Sequence, residues 1–131
     1  MNYKDALARG KEQLERAQGL SWGGTEEEIG ERRGEVVTWT FYAIENAVIA
    51  AAIKLIIPWE KTHTSKVYIA GQLYSKGLVS VDVSNLLKEL NMARKDVAYG
   101  EAGSSLTSID LEDLLITAEN FIEQVEKICQ S

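Results

Sequence analysis

One proline, one cysteine and one histidine occur among 131 residues, and each shortage removes a class of proteins. With Cys129 alone, no intramolecular disulfide and no cysteine-based zinc site can form. Its core-like spacing near the C-terminus makes it a small buried hydrophobe. One histidine, His63, among scattered carboxylates does not make a metal site, and the chain holds no glycine-rich phosphate loop and no nucleophile elbow. No metal and no cofactor is therefore expected. Pro58 stands alone and apolar residues recur with a 3.6-residue period nearly throughout, with no competing strand alternation, so the chain reads as all-α. The longest apolar run, Ala47–Ile53 continued after Lys54 by Leu55–Ile57, falls short of the ~20 residues that span a bilayer. It marks a central core helix, and no membrane partner is expected. Met1–Asp5 lacks a signal-peptide pattern, which points to the cytoplasm.

Basic residues are also scarce: 14 Lys and Arg against 20 Asp and Glu give a formal charge of −6. Long-range attraction to nucleic acid is not expected on that balance, nor is a DNA partner. A local patch can still act within a Debye length of about 10 Å. Its candidates are Arg32, Arg33, Arg94 and Lys95, although such charges more often form a solvated face. Hydrophobic residues make up 45% of the chain and charged residues 26%, a globular balance. The length suits one domain, residues 1–131, large enough to bury a core without covalent staples.

The periodicity predicts about five helices in an antiparallel up-and-down bundle. The first runs from about Asn2 to Gln18 with Tyr3, Leu7, Gly10, Leu14 and Ala17 on one face. Thr25-Glu26-Glu27-Glu28 has the form of a capping box and opens a second helix to about Ile57, weakened at Gly30 and Gly34 and ended by Pro58. From Val36 this helix is apolar on most sides and needs several partners. Ala43, Ala47, Ala50, Ala51 and Ala52 permit close backbone approach, to neighbouring helices or to a second copy. A third helix, Thr64–Lys76, turns Val67, Ala70, Leu73 and Tyr74 inward and stops at Gly77. A fourth, Asp82–Tyr99, carries Val83, Leu86, Leu87, Leu90, Ala93 and Val97 as its stripe, with Arg94 beside it. Gly100–Thr107 reads as a mobile loop. Thr107 or Ser108 then caps a fifth helix to Cys129, striped by Leu111, Leu114, Leu115, Ala118, Phe121, Ile122, Val125 and Ile128.

The polar segment Asn91-Met92-Ala93-Arg94-Lys95-Asp96-Val97-Ala98-Tyr99-Gly100-Glu101 exceeds what a hydrophobic stripe requires. Glu45 and Asn46 likewise interrupt an apolar helix and are costly if buried without partners. They either join Arg94 and Tyr99 in one cleft or face solvent. Arg94 and Asp96 admit a plainer reading as a structural ion pair or as charge at a helix C-terminus. A lone His63 between two helices is more often a cap or hydrogen-bonding residue than a catalyst.

Anchored on Arg94, the segment resembles the arginine motif of HEPN domains, small prokaryotic all-α proteins in which a His follows the Arg four to six residues on. Here Ala98, Tyr99 and Gly100 occupy that window. A branch reading Arg-x-x-x-Asp-Tyr-Gly-Asp is closer, with Ala98 in place of its Asp. Phe41-Tyr42-Ala43-Ile44-Glu45-Asn46-Ala47 is similar to the family's long second helix, and Thr62-His63-Thr64-Ser65 with Tyr74–Val79 to its His-bearing connection and third helix. The resemblance implies a cleft shared across a homodimer, an Arg94 that meets phosphate charge, and a separate minimal nucleotidyltransferase as partner in a toxin–antitoxin pair. It also implies the ribonuclease chemistry of the family, in which a His moves the proton. Tyr99, with a normal pKa near 10, is a poor base at neutral pH, and general acid/base help is typically worth about 10²–10⁴-fold. The expected function is a non-enzymatic interaction module whose cleft, Arg94, Asp96, Tyr99, Glu45 and Asn46 with His63 nearby, binds a partner protein or a nucleotide or RNA ligand. The alternative is a divergent metal-independent ribonuclease using Arg94 with Tyr99 or His63.

Overall fold

A helix that is apolar on every side can exist in water only if other helices wrap it, and the second helix of this chain is the extreme case. The computed structural model describes residues 1–21, 24–25, 27–28, 32–98 and 108–131. Among them are five helices and no strand: α1 (Tyr3–Ser21), α2 (Arg33–Lys54), α3 (His63–Ser75), α4 (Ser84–Ala98) and α5 (Leu111–Gln130). They form the all-α helical bundle that the periodicity predicts. α1, α3, α4 and α5 all pack on α2, which buries Val36, Val37, Thr40, Phe41, Ile44, Val48 and its five alanines, among others. By length and composition α2 could cross a bilayer, but 72% of its most apolar window is buried inside the bundle.

Small residues set the closest helix pair. A Cβ placed on Gly10 of α1 would lie 3.0 Å from the Ala43 carbonyl oxygen of α2, so the two backbones are in contact. Ala43, Ala47, Ala50, Ala51 and Ala52 are completely buried within the chain. Their small size therefore serves neighbouring helices, not a second copy. Gly34 also has a packing role, because a Cβ there would come within 3.0 Å of Val97 at the end of α4.

The ends of the helices follow local chemistry, and several differ from the boundaries expected. The Thr25 hydroxyl accepts from the Glu28 backbone N–H at 3.2 Å, as the capping box requires, but described helix α2 begins only at Arg33. α2 ends at Lys54, three residues before the predicted stop. Ile56 adopts φ 57°, its N–H reaches the Ile53 carbonyl at 3.2 Å, and the Ile57 N–H reaches that of Ala52 at 2.8 Å. This is a Schellman closure that turns the chain before Pro58 is reached. α3 ends the same way with Gly77 at φ 73°, Leu78 N–H reaching the Leu73 carbonyl at 2.9 Å. Thr62 caps the start of α3 by accepting from Ser65 N–H at 3.2 Å. Tyr74 is 48% exposed and not inward, because the fully buried face of α3 is Ile69, Ala70 and Leu73. Val67 is half-buried and Val97 exposed. Asp82 lies outside α4, its carboxylate accepting from Ser84 N–H at 2.9 Å. α5 is capped by Asp110, which accepts from Asp113 N–H at 3.2 Å, and not by Thr107 or Ser108. Thr107 and the rest of the loop expected at 100–107 lie outside the described residues. Of the predicted α5 stripe, Leu115 and Ile128 are only half-buried.

Cys129 is buried. Burial pushes its thiol pKa up, against a smaller opposing pull from Lys54, with Glu126 adding to the rise. Native protein at pH 8 should accordingly react with a disulfide reagent far more slowly than urea-unfolded protein, in which the thiolate is both exposed and more abundant. The two closures give a second test. A β-branched residue in the left-handed region costs about 1–2 kcal/mol, and Ile56, being 88% exposed, loses no packing on truncation. Ile56→Gly should raise stability in urea by about 1 kcal/mol, and Gly77→Ala should lower it by a similar amount.

Candidate functional site

Phe41 and Glu45 are one helical turn apart on α2, so their side chains share a face. Phe41 is 2% exposed and Glu45 8%. A carboxylate at that depth needs cationic or hydrogen-bonding partners, and α3 supplies them from its own first turn. His63 Nδ1 lies 3.5 Å from Glu45 Oε2, and Lys66 Nζ lies 3.5 Å from Oε1. The three-residue spacing places both on one side of α3. Lys66 is itself well buried, so the pair is shielded from bulk water on both sides.

The Phe41 ring joins this pair to α4. His63 stacks obliquely on it, with centroids 5.7 Å apart and planes at 39°. The guanidinium carbon of Arg94 sits 5.3 Å from the same ring centroid, within cation–π range. Arg94 Nη2 donates to Asn91 Oδ1 at 2.9 Å. Its Nε is buried and, among the described residues, has no hydrogen-bond partner. An arginine offers five donors in a rigid plane and binds carboxylate or phosphate side-on. The Phe41 ring thus carries an imidazole and a guanidinium, with the Glu45–Lys66 ion pair beside the imidazole, in a chain of charge −6.

The residues singled out from sequence divide around this ring. Glu45, His63 and Arg94 meet there, but Glu45 pairs with His63 and Lys66 and not with Arg94. Asn46 points elsewhere, its amide donating to Gln13 Oε1 at 2.7 Å and to the Tyr42 carbonyl at 3.1 Å. Neighbouring residues diverge by about 100° on a helix, so Glu45 and Asn46 cannot both enter the cleft. Asp96 is half-buried on α4, two residues past Arg94, where side chains do not face each other. Tyr99 lies outside the described residues. Of the four expected patch cations, Arg33 bonds the Ile109 carbonyl, and Arg32 reaches the Leu20 carbonyl at 3.2 Å. Both serve the N-terminal end of α2 instead of the cleft. The cleft expected from the sequence did not include Lys66, nor Phe41 and Asn91, which entered only as members of the two motif segments. Lys66 had a signal, since a carboxylate in an apolar helix calls for a cation and Lys66 follows His63 by one helical turn.

Family comparison fits this arrangement: the model of the HEPN domain matches residues 3–128, nearly the whole chain. The chain belongs to the HEPN family. No curated protein and no solved structure matches it. In this HEPN domain the Arg94 segment and the α2 polar position converge on Phe41 from different helices. The position usually held by the motif His is filled by Ala98, Tyr99 or Gly100. Among the described residues no group of His, Cys, Asp and Glu is arranged to hold a metal ion.

The buried pair predicts strong coupling. Lys66→Met leaves the Glu45 carboxylate with His63 alone and should lower urea stability by roughly 2–4 kcal/mol. The same change in a Glu45→Gln background should cost under half as much, and a double-mutant cycle reads the difference.

Proposed function

We propose that this HEPN domain is a non-catalytic interaction module, one unit over residues 1–131, that binds an anionic, phosphate-bearing ligand at the Arg94 cleft. The observation that carries this reading is the buried Nε of Arg94 on the Phe41 ring, which has no hydrogen-bond partner among the described residues. A buried donor without an acceptor costs about 1–3 kcal/mol, and a phosphate oxygen or a partner's carboxylate in the cleft would relieve that cost. A nucleotide or an RNA phosphate fits the chemistry, as does an acidic group of a partner protein such as a minimal nucleotidyltransferase in a toxin–antitoxin pair. HEPN domains often dimerise, and a homodimer is part of this proposal. The buried alanines of α2 leave α4 as the helix to meet the second copy, with Met92 61% and Val97 37% exposed.

Catalysis is a second reading, and one observation favours it. His63 is held by a carboxylate on one side and shares the Phe41 ring with Arg94, which is how a general base is oriented in many hydrolytic sites. A divergent metal-independent ribonuclease would use this pair, or Arg94 with Tyr99.

Titration with a nucleoside monophosphate, followed by calorimetry, tests the first reading. Arg94→Ala should weaken binding at least ten-fold, the size of a lost charged hydrogen bond, while Asn46→Ala should leave it unchanged. An Arg94→Ala protein that binds as well as the parent removes the proposal. Single-stranded RNA incubated with the protein at high concentration in EDTA should stay intact. Cleavage lost in both Arg94→Ala and His63→Ala would establish the ribonuclease instead.

A further inference from the structure

His63 is the only histidine in the chain, and its two ring nitrogens have different surroundings. Nδ1 lies 3.5 Å from Glu45 Oε2. A carboxylate can only accept, so the neutral ring carries its one proton on Nδ1 and leaves a bare lone pair on Nε2. Nε2 has no hydrogen-bond partner among the described residues, and the side chain is 27% exposed. It is therefore the nitrogen that a ligand meets. The imidazole and the Arg94 guanidinium lie 5.7 and 5.3 Å from the Phe41 centroid, so an anion drawn to one comes near the other.

The charges around this imidazole make its protonation matter. Glu45 reaches it from α2, Lys66 shares that carboxylate at 3.5 Å from one turn further along α3, and Arg94 meets the same phenyl ring from α4. Glu60 and Lys61, in the loop before α3, are exposed to water that screens them. While His63 is neutral, Lys66 offsets Glu45 and Arg94 alone attracts an anion. An anionic oxygen beside Nε2 then faces a lone pair, which repels it. Protonation replaces that lone pair with a donor and adds a second net positive charge. We propose that His63 Nε2 is a direct ligand contact of the Arg94 site, and that an anion binds there together with a proton taken from solvent onto His63. This rests on the reading of Arg94 as an anion site and extends it, because it assigns a second contacting residue and ties occupancy to pH. Histidine is the ordinary side chain whose charge changes between about pH 5 and 8. Affinity is therefore high at the acid end of that range and low at the alkaline end.

Adenosine 5′-sulfate tests the idea, since it copies a nucleoside monophosphate but keeps one fixed negative charge. Calorimetry should show binding at least ten-fold tighter at pH 5.5 than at pH 8, the size of one charged hydrogen bond. His63→Gln, which keeps Glu45 and every other acidic group, should lose that difference. The parent protein supplies a second measurement with no substitution. Its single imidazole C2 proton reports the His63 titration by NMR, and saturating ligand should move that titration to higher pH, as the reciprocity of linked binding requires. A parent affinity equal at both pH values, or a pH dependence that survives in His63→Gln, overturns the proposal. So does a His63 titration that saturating ligand leaves in place. Arg94→Ala separates this inference from the reading beneath it. Binding that Arg94→Ala abolishes but pH does not alter removes the His63 contact and leaves the Arg94 site; no binding at either pH, or binding indifferent to Arg94, removes both.

Discussion

Glu45 is the one buried charge in a helix whose other buried residues are apolar apart from Thr40, and the arrangement of the site depends on how that charge is answered. A carboxylate so placed is tolerable only if a cation comes to it. α3 brings Lys66 and His63, so its angle and register against α2 are set by an ion pair as much as by its short apolar stripe of Ile69, Ala70 and Leu73. With α3 in that position, His63 covers one side of Phe41. From α4, Arg94 meets the same ring. One polar residue in the core helix thus leads, through one aromatic ring, to a cluster of Lys66, His63 and Arg94 drawn from two further helices.

The HEPN assignment gives this arrangement context without deciding its chemistry. Where members of the family with the His motif place an imidazole after the arginine on the same helix, the imidazole in reach here comes from α3 and is paired with a carboxylate. The charges around the ring are suited to holding an anion.

Most of the fold was legible because it is written in periodicity. α5 illustrates this: nearly every residue of its predicted stripe is buried, since hydrophobic spacing and burial are the same signal in an amphipathic helix. Helix ends were less legible. Ile56 in a left-handed conformation defies its own β-branched preference, so no residue type announced the stop at Lys54, four positions ahead of Pro58. The site was legible in its members but not in its pairings. Arg94, Glu45 and His63 could be picked out as polar residues in apolar surroundings, whereas which cation meets Glu45 depends on the distance between α2 and α3, a tertiary quantity. Asn46 was misplaced for a local reason that helix geometry supplies: beside Glu45, it had to face α1.

The contact between Gly10 and the Ala43 carbonyl gives the molecule unequal stiffness. Two backbones in direct touch cannot slide or roll on each other without collision, so α1 and α2 behave as one rigid beam. α3 meets that beam through side chains alone and through an ion pair whose partners can lengthen and re-form. Motion within the bundle is therefore easier for α3 than for α1 against α2.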